Sequence, residues 1–515
     1  MHTKHFFLLG AIALFVVPSI SSAATFPKPS VDKSTITKHR ATIQWEAQSN
    51  VDFYRIRLLD STCTTLLRVK DIASTATEKR LKNLDTNTRY CVRMRAFYTD
   101  NTKSDLSDRK KFTTKHANRF GLNFIRFYND DSAALEEGTT PSAVDSDFSA
   151  LGIDTFRQIT SADLLWELVE AREDTFDFAN ADGVLKTTTH KPIVDLFSYQ
   201  LADSTTPWEM LQGDDTVEPT LTQEAEDYVV AVVERYKDDV KFWEIGNEMA
   251  HWELEQPGVF PVADQARWLK AVSDIIREHD DNAVILLPGL ISITEDNVDD
   301  WLEEVVHTVG SDWFDVVNYH YYGRWQGFAV ARDALQNLSE ELDISDKLFW
   351  QTETGTSSDP TNTTRTNYPN STDQQAADIF RRAMLAYDAG DEVIMWHTYI
   401  GNDDDGEAFR YFGVVNEDMS KQPAYYTVQL LTDEITKFTQ ITRDETASDQ
   451  FVYDIERPNG SHAYVAWDAQ TSTMTVPSDV SEMTSVVPNS NGTFTWTSVT
   501  PGETISLTDI PVLMK

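Results

Sequence analysis

Cysteine is almost absent from this 515-residue sequence. Cys63 and Cys91 are its two cysteines, and both lie in the N-terminal part of the chain. The remaining residues therefore offer no thiol nucleophile and no cysteine metal site. In an exported protein the two cysteines could form one disulfide, and two buried free thiols are the alternative.

Basic residues are also scarce. Lysine and arginine together number 44 against 83 aspartates and glutamates, which gives a formal net charge of −39. Such a charge repels nucleic acids and anionic membranes, and the sum indicates no basic patch that would hold either. It also disfavours a strongly anionic polymer as a substrate. We interpret the charge as a solvated acidic surface and expect a monomer with no nucleic-acid or membrane partner.

Long apolar runs are missing except at the N-terminus. Lys4 precedes an apolar run from residue 6 to residue 17, and Ser21 and Ala23 follow at the −3 and −1 positions of a cleavage site. This pattern predicts a secretory signal peptide over residues 1–23. A membrane anchor is the alternative, but the run is short for a bilayer span. We expect a secreted protein, either extracellular or periplasmic.

The composition supports folding into several domains. Hydrophobic residues make up 41% of the chain and aromatic residues 11%. A chain of this length is too long for one ordinary core, so two or three domains are expected. From residue 26 to 115, short alternating runs such as "DFYRIRLLD" are separated by polar turns and predict an all-β domain.

In this first domain Trp45 lies on the second predicted strand, and Leu84, Thr88 and Tyr90 have the spacing of a tyrosine corner. With these residues the domain resembles a fibronectin type III domain. The proline that the family usually has near Asp85 is missing. The resemblance implies a spacer or a binding module, and no chemistry.

The texture changes over residues 118–438, where short apolar runs alternate with amphipathic helices. The eight runs are "LNFIRF", "IDTFRQI", "PIVDLF", "VKFWEIGNE", "AVILLPG", "FDVVNYHYY", "KLFWQTETG" and "EVIMWHTY". Eight strand–helix units predict a (β/α)8 barrel. A doubly wound sheet is the alternative, but no glycine-rich phosphate turn follows the first run. Residues 439–515 return to short alternating runs and predict a C-terminal β-sandwich.

Two glutamates stand where a barrel concentrates its chemistry. Glu248 ends the fourth predicted strand and Glu353 ends the seventh. Two carboxylates facing each other across a barrel mouth suit glycoside hydrolysis, in which one protonates the departing oxygen and the other attacks the anomeric carbon or activates water. Glu244 lies about 13 Å deeper along an extended strand. We interpret it as a structural carboxylate paired with Arg126 or Arg157.

Five motifs stand at the predicted strand ends or after the last strand: "WEIGNE", "NYHYYG", "WQTETG", "MWH" and "FGVVNEDMSKQPAYY". With these motifs the barrel resembles the clan A glycoside hydrolases, which are (β/α)8 enzymes that act with retention. The resemblance is strongest to family 39 and its relatives, with family 5 as a neighbour. It implies that Glu248 is the general acid/base and Glu353 the nucleophile. Asn247 would donate a hydrogen bond to the 2-hydroxyl of the sugar.

The resemblance also implies four supporting residues. Tyr322 would hold the nucleophile, and His320 would line the same subsite. Arg157 would keep the nucleophile ionised, although Arg126 competes for this role, and Trp396 would form the aromatic floor under the sugar ring. An arginine beside only one of the two carboxylates would separate their pKa values and thereby their roles.

The expected function is that of an exported retaining β-glycosidase acting on a polysaccharide or oligosaccharide by double displacement. A transglycosylase and a non-catalytic carbohydrate-binding or adhesive protein on a hydrolase scaffold are the alternatives, and the intact carboxylate pair disfavours the second. The mechanism needs no cofactor or metal, and no His/Asp cluster with ligand spacing occurs. Aromatic residues in loops near strand ends could stack on sugars: Trp166, Tyr199, Trp208, Trp252 and Trp325.

Overall fold

The fold is that of a computed structural model, in which the chain divides into two compact units, Met1–His116 and Ala117–Lys515. The predicted signal peptide lies outside the described residues. The structure describes residues 25–32, 36, 40–60, 62–81, 84, 89–114, 118–124, 140–158, 164–170, 175–197, 211–212, 220–251, 260–280, 282–291, 293, 296–345, 347–359, 371–401, 411–444 and 450–515.

The N-terminal unit is built from two antiparallel sheets. Its strands are β1 (Ser30–Asp32), β2 (Ala41–Gln44), β3 (Val51–Leu59), β4 (Leu66–Ala73), β5 (Glu78–Leu81), β6 (Arg89–Tyr98) and β7 (Lys110–Thr113). One sheet has the order β1-β2-β5 and the other β4-β3-β6-β7. Alternate side chains of β3 and β6, among them Tyr54 and Met94, are buried in the core between the sheets. The architecture agrees with the predicted all-β domain, and the fibronectin resemblance stays a prediction.

A disulfide joins the loop after β3 to strand β6. Cys63 and Cys91 are bonded with their Cα atoms 5.3 Å apart and 28 residues apart in sequence. Both residues are buried.

We expect the double substitution Cys63→Ser/Cys91→Ser to lower the free energy of unfolding of the N-terminal unit by about 3.5 kcal/mol. The reason is that the reduced chain regains the loop entropy that the cross-link removes. Urea unfolding of the wild type and the double variant, followed by a signal from this unit, measures the difference. Equal midpoints and slopes for the two proteins would contradict the expectation.

Eight parallel strands close a barrel in the second unit. They are β8 (Phe120–Phe124), β9 (Thr155–Gln158), β10 (Lys191–Leu196), β13 (Phe242–Ile245), β14 (Val284–Leu286), β15 (Val316–His320), β16 (Leu348–Thr354) and β17 (Val393–Trp396). Each strand overlaps one of the eight apolar runs, in the same order. The predicted (β/α)8 barrel is confirmed.

Nine α-helices of this unit fall in the described residues. They are α1 (Pro141–Ala150), α2 (Trp166–Val169), α3 (Ala179–Leu185), α4 (Gln223–Tyr236), α5 (Val262–His279), α6 (Asp296–Val309), α7 (Phe328–Glu341), α8 (Thr372–Asp388) and α9 (Pro423–Glu434). Their starts follow familiar capping chemistry. In α4 the side chain of Thr222 accepts a hydrogen bond from the backbone of Ala225, and in α8 Ser371 does the same for Gln374. No helix in the described part of the chain has the length and apolarity needed to cross a membrane.

Strand alternation stacks the barrel interior in layers. The lowest described layer is apolar and contains Phe242, Val316 and Trp350. Because side chains two residues apart share a face of a strand, the next layer on the same strands receives Glu244, Asn318 and Thr352. These three polar residues are fully buried. The interior of the barrel is therefore apolar at the lower end and polar toward the C-terminal ends of the strands, where the candidate catalytic residues lie.

Two further groups of strands complete the unit. A short pair, β11 (Leu211–Gln212) and β12 (Thr220–Leu221), follows the third barrel strand. The C-terminal strands are β18 (Gln440–Arg443), β19 (Gln450–Glu456), β20 (His462–Asp468), β21 (Ser472–Thr475), β22 (Glu482–Ser485), β23 (Thr497–Ser498), β24 (Thr504–Leu507) and β25 (Val512–Met514). They form an antiparallel six-stranded sheet, β18-β19-β20-β25-β22-β23, and an antiparallel pair, β21-β24.

The six-stranded sheet packs on the barrel. Trp325, just before α7, lies with its ring 5.3 Å from that of Phe451 and 6.0 Å from that of Trp467. Arg381 of α8 donates through Nε to the carbonyl of Asp509 at 3.0 Å. The multidomain prediction, a barrel with β domains before and after it, is confirmed.

Candidate active site

Glu248 occupies a backbone conformation that few non-glycine residues adopt. Strand β13 ends at Ile245, and the chain then turns through Gly246 (φ 77°) to Glu248 (φ 51°). The positive φ of Gly246 favours glycine, and a Cβ here would also crowd the Met249 sulfur at 2.8 Å. A left-handed glutamate costs conformational energy, and such residues cluster at functional sites. Its side chain remains 20% exposed, enough to meet a ligand.

Glu353 reaches the barrel interior through a β-bulge in β16. In the pairing with β15 the register passes from Tyr319↔Gln351 to His320↔Glu353, so Thr352 is skipped. The pairing with β17 also shifts after Gln351. The extra residue re-aims the chain, as bulges next to active sites do. As a result the consecutive side chains of Thr352 and Glu353 both bond to groups of the interior.

Arg157 connects the lower carboxylate to the nucleophile candidate. Its Nε donates to Glu244 Oε2 at 2.5 Å and its Nη2 to Glu244 Oε1 at 2.9 Å. Nη2 also donates to Asn247 Oδ1 at 2.7 Å, and Nη1 donates to Glu353 Oε1 at 2.6 Å. The guanidinium is fully buried, as is Glu244. Arg157 is thus the cationic partner of Glu244; Arg126, the other candidate, lies outside the described residues.

The surroundings of Glu353 keep it ionised. Tyr322 donates its hydroxyl to Glu353 Oε2 at 2.6 Å, and Nδ1 atoms of His320 and His397 lie 3.7 Å and 3.9 Å from the same oxygen. Burial by itself would raise the pKa of this carboxyl. The electrostatic interactions with His320, Arg157 and His397, with the hydrogen bond from Tyr322, outweigh it and lower the pKa to about 2. A carboxylate in this state is suited to act as a nucleophile.

A chain of hydrogen bonds sets the tautomer of His320. Asn318 donates through Nδ2 to Glu244 Oε1 at 2.8 Å, which leaves its Oδ1 to accept from the Thr352 hydroxyl at 2.5 Å. The Thr352 oxygen can therefore accept from Nε2–H of His320, 3.2 Å away. This places a hydrogen on Nε2 and leaves Nδ1 facing Glu248 Oε1 at 2.6 Å.

One proton is consequently shared between Glu248 and His320. With Nε2 protonated, Nδ1 of a neutral imidazole can only accept, so Glu248 must then carry the proton. If the imidazole is charged, Glu248 is a carboxylate and accepts. Either way the pair holds the proton that a general acid must deliver.

Comparisons with known proteins show similarity in sequence and in fold. The sequence model of glycosyl hydrolase family 10 matches residues 132–274, a segment that includes Asn247 and Glu248. The family 39 glycoside hydrolase from Bacteroides cellulosilyticus WH2 has a similar fold, with a TM-score of 0.55 at 15% identity, covering 95% of this chain and 99% of that one. The predicted resemblance to clan A glycoside hydrolases is confirmed.

More distant structures are similar as well. The glucosidase from Croceicoccus marinus gives a TM-score of 0.48 at 11% identity over 77% of this chain and 96% of its own. The β-glucuronidase from Ruminococcus gnavus gives 0.39 at 14% identity over 79% of this chain and 68% of its own. No curated protein matches the sequence.

The same side chains could also ligate a cation. Glu248, His320 and Glu353 each place one donor atom within 4.8 Å of the others, and they form the one such group in the described part of the chain. Two carboxylates and an imidazole suit several divalent metals. Both oxygens of Glu353 already accept hydrogen bonds, one from Arg157 and one from Tyr322, and these bonds suit a nucleophile that has no ion beside it. We therefore assign the group to acid–base and nucleophilic chemistry.

The aromatic side chains predicted to contact the sugar are buried or packed on other residues where the structure describes them. Trp396 was expected to be the floor under the sugar, but it has no exposed surface, and its Nε1 donates to the Phe412 carbonyl at 3.1 Å. It therefore presents no ring face to the site. Of the stacking candidates, Trp325 is buried against the C-terminal sheet and Trp166 stacks on Tyr228. Tyr199, Trp208 and Trp252 lie outside the described residues.

Sequence reasoning gave no role to four residues that the structure brings to the site: His397, Asn318, Thr352 and Gly289. His397 follows the last barrel strand, and its ring packs edge-on against Tyr322 with centroids 6.0 Å apart. Asn318 lies two residues before His320, so strand alternation could have pointed to it. Alternation could not have pointed to Thr352, because it is adjacent to Glu353 and consecutive side chains of a regular strand point to opposite faces.

Gly289 makes room for His320. Its backbone N–H donates to Glu244 Oε1 at 3.1 Å, and a Cβ at this position would meet Nε2 of His320 at 2.0 Å. The imidazole is held from both sides by Thr352 and Glu248. It cannot retreat from an added methyl group without losing one of these bonds.

We expect Gly289→Ala to lower kcat roughly 10²-fold, the loss that a displacement of about 1 Å can cause. Overpacking should also destabilise the protein by about 1–3 kcal/mol. The matched control is Gly183→Ala in α3, where a Cβ would meet nothing within 4 Å. Initial rates and thermal unfolding of the two variants measure the contrast, and equal rates would show that the position of His320 does not matter.

Proposed function

We propose that the protein is a secreted retaining β-glycosidase that hydrolyses O-glycosidic bonds of a polysaccharide or oligosaccharide. The observation that supports this most is the closeness of the two carboxylates, since one oxygen of Glu248 and one of Glu353 lie within 4.8 Å. Retaining enzymes hold their carboxyl groups roughly 5–5.5 Å apart, whereas inverting enzymes need roughly 6.5–9.5 Å to fit a water molecule between them. The spacing favours direct attack by Glu353.

In the first step Glu353 attacks the anomeric carbon and forms a covalent ester with the sugar. The glycosidic bond breaks, and its electron pair leaves with the departing oxygen, which takes the proton held by Glu248 and His320. In the second step Glu248, now a base, takes a proton from water. The water oxygen attacks the anomeric carbon, the ester bond breaks, and Glu353 leaves as a carboxylate.

The supporting residues act on these steps electrostatically. Arg157 and Tyr322 hold both oxygens of Glu353, one each, and thereby orient it for attack. Arg157 also holds Asn247 through its Oδ1, which directs the amide NH₂ group to serve as a donor. A donor at this position would bond the 2-hydroxyl of the sugar, an interaction that strengthens in the transition state.

The proposal is tested by screening the mature protein, without residues 1–23, for reducing-sugar release over a panel of neutral β-glycans. Glu353→Gln should abolish release from the polymer that the wild type cleaves. Glu341→Gln, which removes an exposed carboxylate of α7, is the matched control and should leave the rate unchanged. Equal sugar release by wild type and Glu353→Gln would refute the proposal. Sugar binding without release in both proteins would instead support a non-catalytic binding protein.

A further inference from the structure

The net charge of the chain conceals two oppositely charged parts. Residues 26–115 contain 19 lysines and arginines against 10 aspartates and glutamates, whereas residues 116–515 contain 24 against 73. The N-terminal unit is therefore basic on a chain that is acidic in sum. The sequence-based expectation of no basic patch rested on that sum, and it does not hold for this unit.

The excess charge is concentrated on one face of the four-stranded sheet. On β3 the side chains of Tyr54, Ile56 and Leu58 enter the core, so Phe53, Arg55 and Arg57 between them point to the opposite face. Strand β6 does the same with Arg93, Arg95 and Phe97. The register sets Arg55 directly opposite Arg95 and Arg57 directly opposite Arg93. We call this surface, formed by Phe53, Arg55, Arg57, Arg93, Arg95 and Phe97, the arginine face.

Few acidic groups compensate these charges. Asp71 on β4 accepts from Arg55 through both oxygens at 2.6 Å, and Asp105 lies near Arg95. Burial and the neighbouring charges of Arg57, Arg55 and Arg93 lower the pKa of Arg95. Its Nε is buried and has no hydrogen-bond acceptor among the described residues. Like charges directly opposite one another on a sheet are destabilising, so the fold carries this arrangement at a cost.

Two features bound the face along the strands. At one end the rings of Phe53 and Phe97 stack with centroids 4.4 Å apart and an interplanar angle of 11°. The guanidinium of Arg55 lies 4.9 Å from the Phe97 centroid. At the other end the loop that contains Cys63 is fixed to Cys91 of β6 by the disulfide. The arginines between these ends are half-exposed.

We propose that the arginine face binds an anionic polysaccharide, one whose sugars carry carboxylate groups. Guanidinium groups form bidentate, charge-assisted hydrogen bonds with carboxylates. Arg55 is already paired with Asp71, and Arg57, Arg93 and Arg95 lie beside this pair. Neighbouring strands lie about 4.8 Å apart and alternate residues about 7 Å apart, so these three arginines form a small array that suits a polymer repeating its charge at every sugar. The stacked phenylalanine pair adds a partly exposed apolar surface beside the arginines, against which the C–H groups of a sugar ring can pack.

This binding is separate from the proposed catalytic function. The acidic remainder of the chain repels an anionic polymer, whereas the arginine face attracts it. The N-terminal unit would thus hold the enzyme on a carboxylated matrix while the barrel cleaves a different bond. A folded acidic protein, including a second copy of this chain, would satisfy the charges but would make no use of the apolar phenylalanine pair.

The test measures binding of the mature full chain to immobilised polygalacturonate, with fully methyl-esterified polygalacturonate as the uncharged comparison. All proteins carry Glu353→Gln so that hydrolysis of the polymer does not affect the binding measurement. Arg57→Gln/Arg95→Gln should weaken binding about tenfold or more, since it removes two charge-assisted contacts. Lys28→Gln/Arg80→Gln, which removes two exposed charges elsewhere in the unit, should stay within about twofold because surface charges away from the ligand are screened.

Two further readouts keep the result interpretable. Removing Arg57 and Arg95 relieves like-charge repulsion, so the variant should unfold at a temperature no lower than the wild type. Arg57→Lys/Arg95→Lys retains the charge but loses the planar fork, and it should bind with intermediate affinity. Equal weakening by both glutamine pairs would overturn the proposal. So would the absence of polygalacturonate binding at low salt together with arginine-dependent self-association in sedimentation velocity, which would assign the face to a second copy of the chain.

Discussion

Glu353→Gly is expected to lower kcat on the best polymer substrate by roughly 10⁴-fold or more, because the covalent step loses its nucleophile. The substitution also empties the space that the carboxylate fills beneath the sugar. Added azide should enter this space and attack the anomeric carbon of an activated aryl glycoside. The expected product is a glycosyl azide of inverted configuration, formed at a rate that rises with azide concentration.

The control for this result is Glu248→Gly under the same conditions. Here azide would replace the base of the second step, attack the covalent intermediate from the opposite face and give an azide of retained configuration. The pair of products therefore assigns the two roles independently. Rescue with retained configuration in Glu353→Gly would mean that the roles of the two glutamates are reversed.

Arg157→Met is expected to destabilise the barrel by about 3–5 kcal/mol, the cost of leaving a buried charge without its partner. Glu244 is fully buried and bonded to this guanidinium through both oxygens. Arg332→Met is a matched control, since Arg332 forms another buried ion pair, donating to Asp391 at 2.9 Å. Urea unfolding should show comparable losses in the two variants.

The two arginine variants should differ in their pH dependence. The pKa of Glu353 is about 2, well below its usual value, so its ionised form contributes stability and activity above the usual value and loses them as pH falls through about 2. Without Arg157, one of the charges that offset burial is lost, so the pKa of Glu353 rises. The acidic limb of kcat/KM should then move to higher pH in Arg157→Met and stay unchanged in Arg332→Met. An unshifted limb in both variants would show that Arg157 does not set the ionisation of Glu353.

The eight strands and the two strand-end glutamates could be predicted from the sequence because alternation and strand order are local signals. The choice between Arg126 and Arg157 as the partner of Glu244 could not, since both arginines lie in neighbouring apolar runs of the sequence and only the fold shows Arg157 bonded to Glu244 at 2.5 Å. Thr352 was hidden by a bulge that shifts the facing of its strand. The excess of basic residues in the N-terminal unit was missed because the charge was summed over the whole chain.

Trp396 shows a different limit of sequence reasoning. A tryptophan at a strand end is equally compatible with a sugar platform and with a core position, and its full burial decides for the second. Glu248 was identified from its position at the end of the strand, but its left-handed backbone, which aims it across the barrel, depends on the turn through Gly246. The positions of residues along the chain therefore predicted which side chains lie near the site. Only the structure showed how each side chain is oriented there.

The most direct test of the account is the configuration of the first product released from a β-aryl glycoside by the mature protein, followed by proton NMR before mutarotation. The proposed double displacement by Glu353 and Glu248 predicts that the β-anomer appears first and the α-anomer grows in later. An α-anomer as the first product would mean that water attacks directly and would contradict the assignment of Glu353 as a nucleophile.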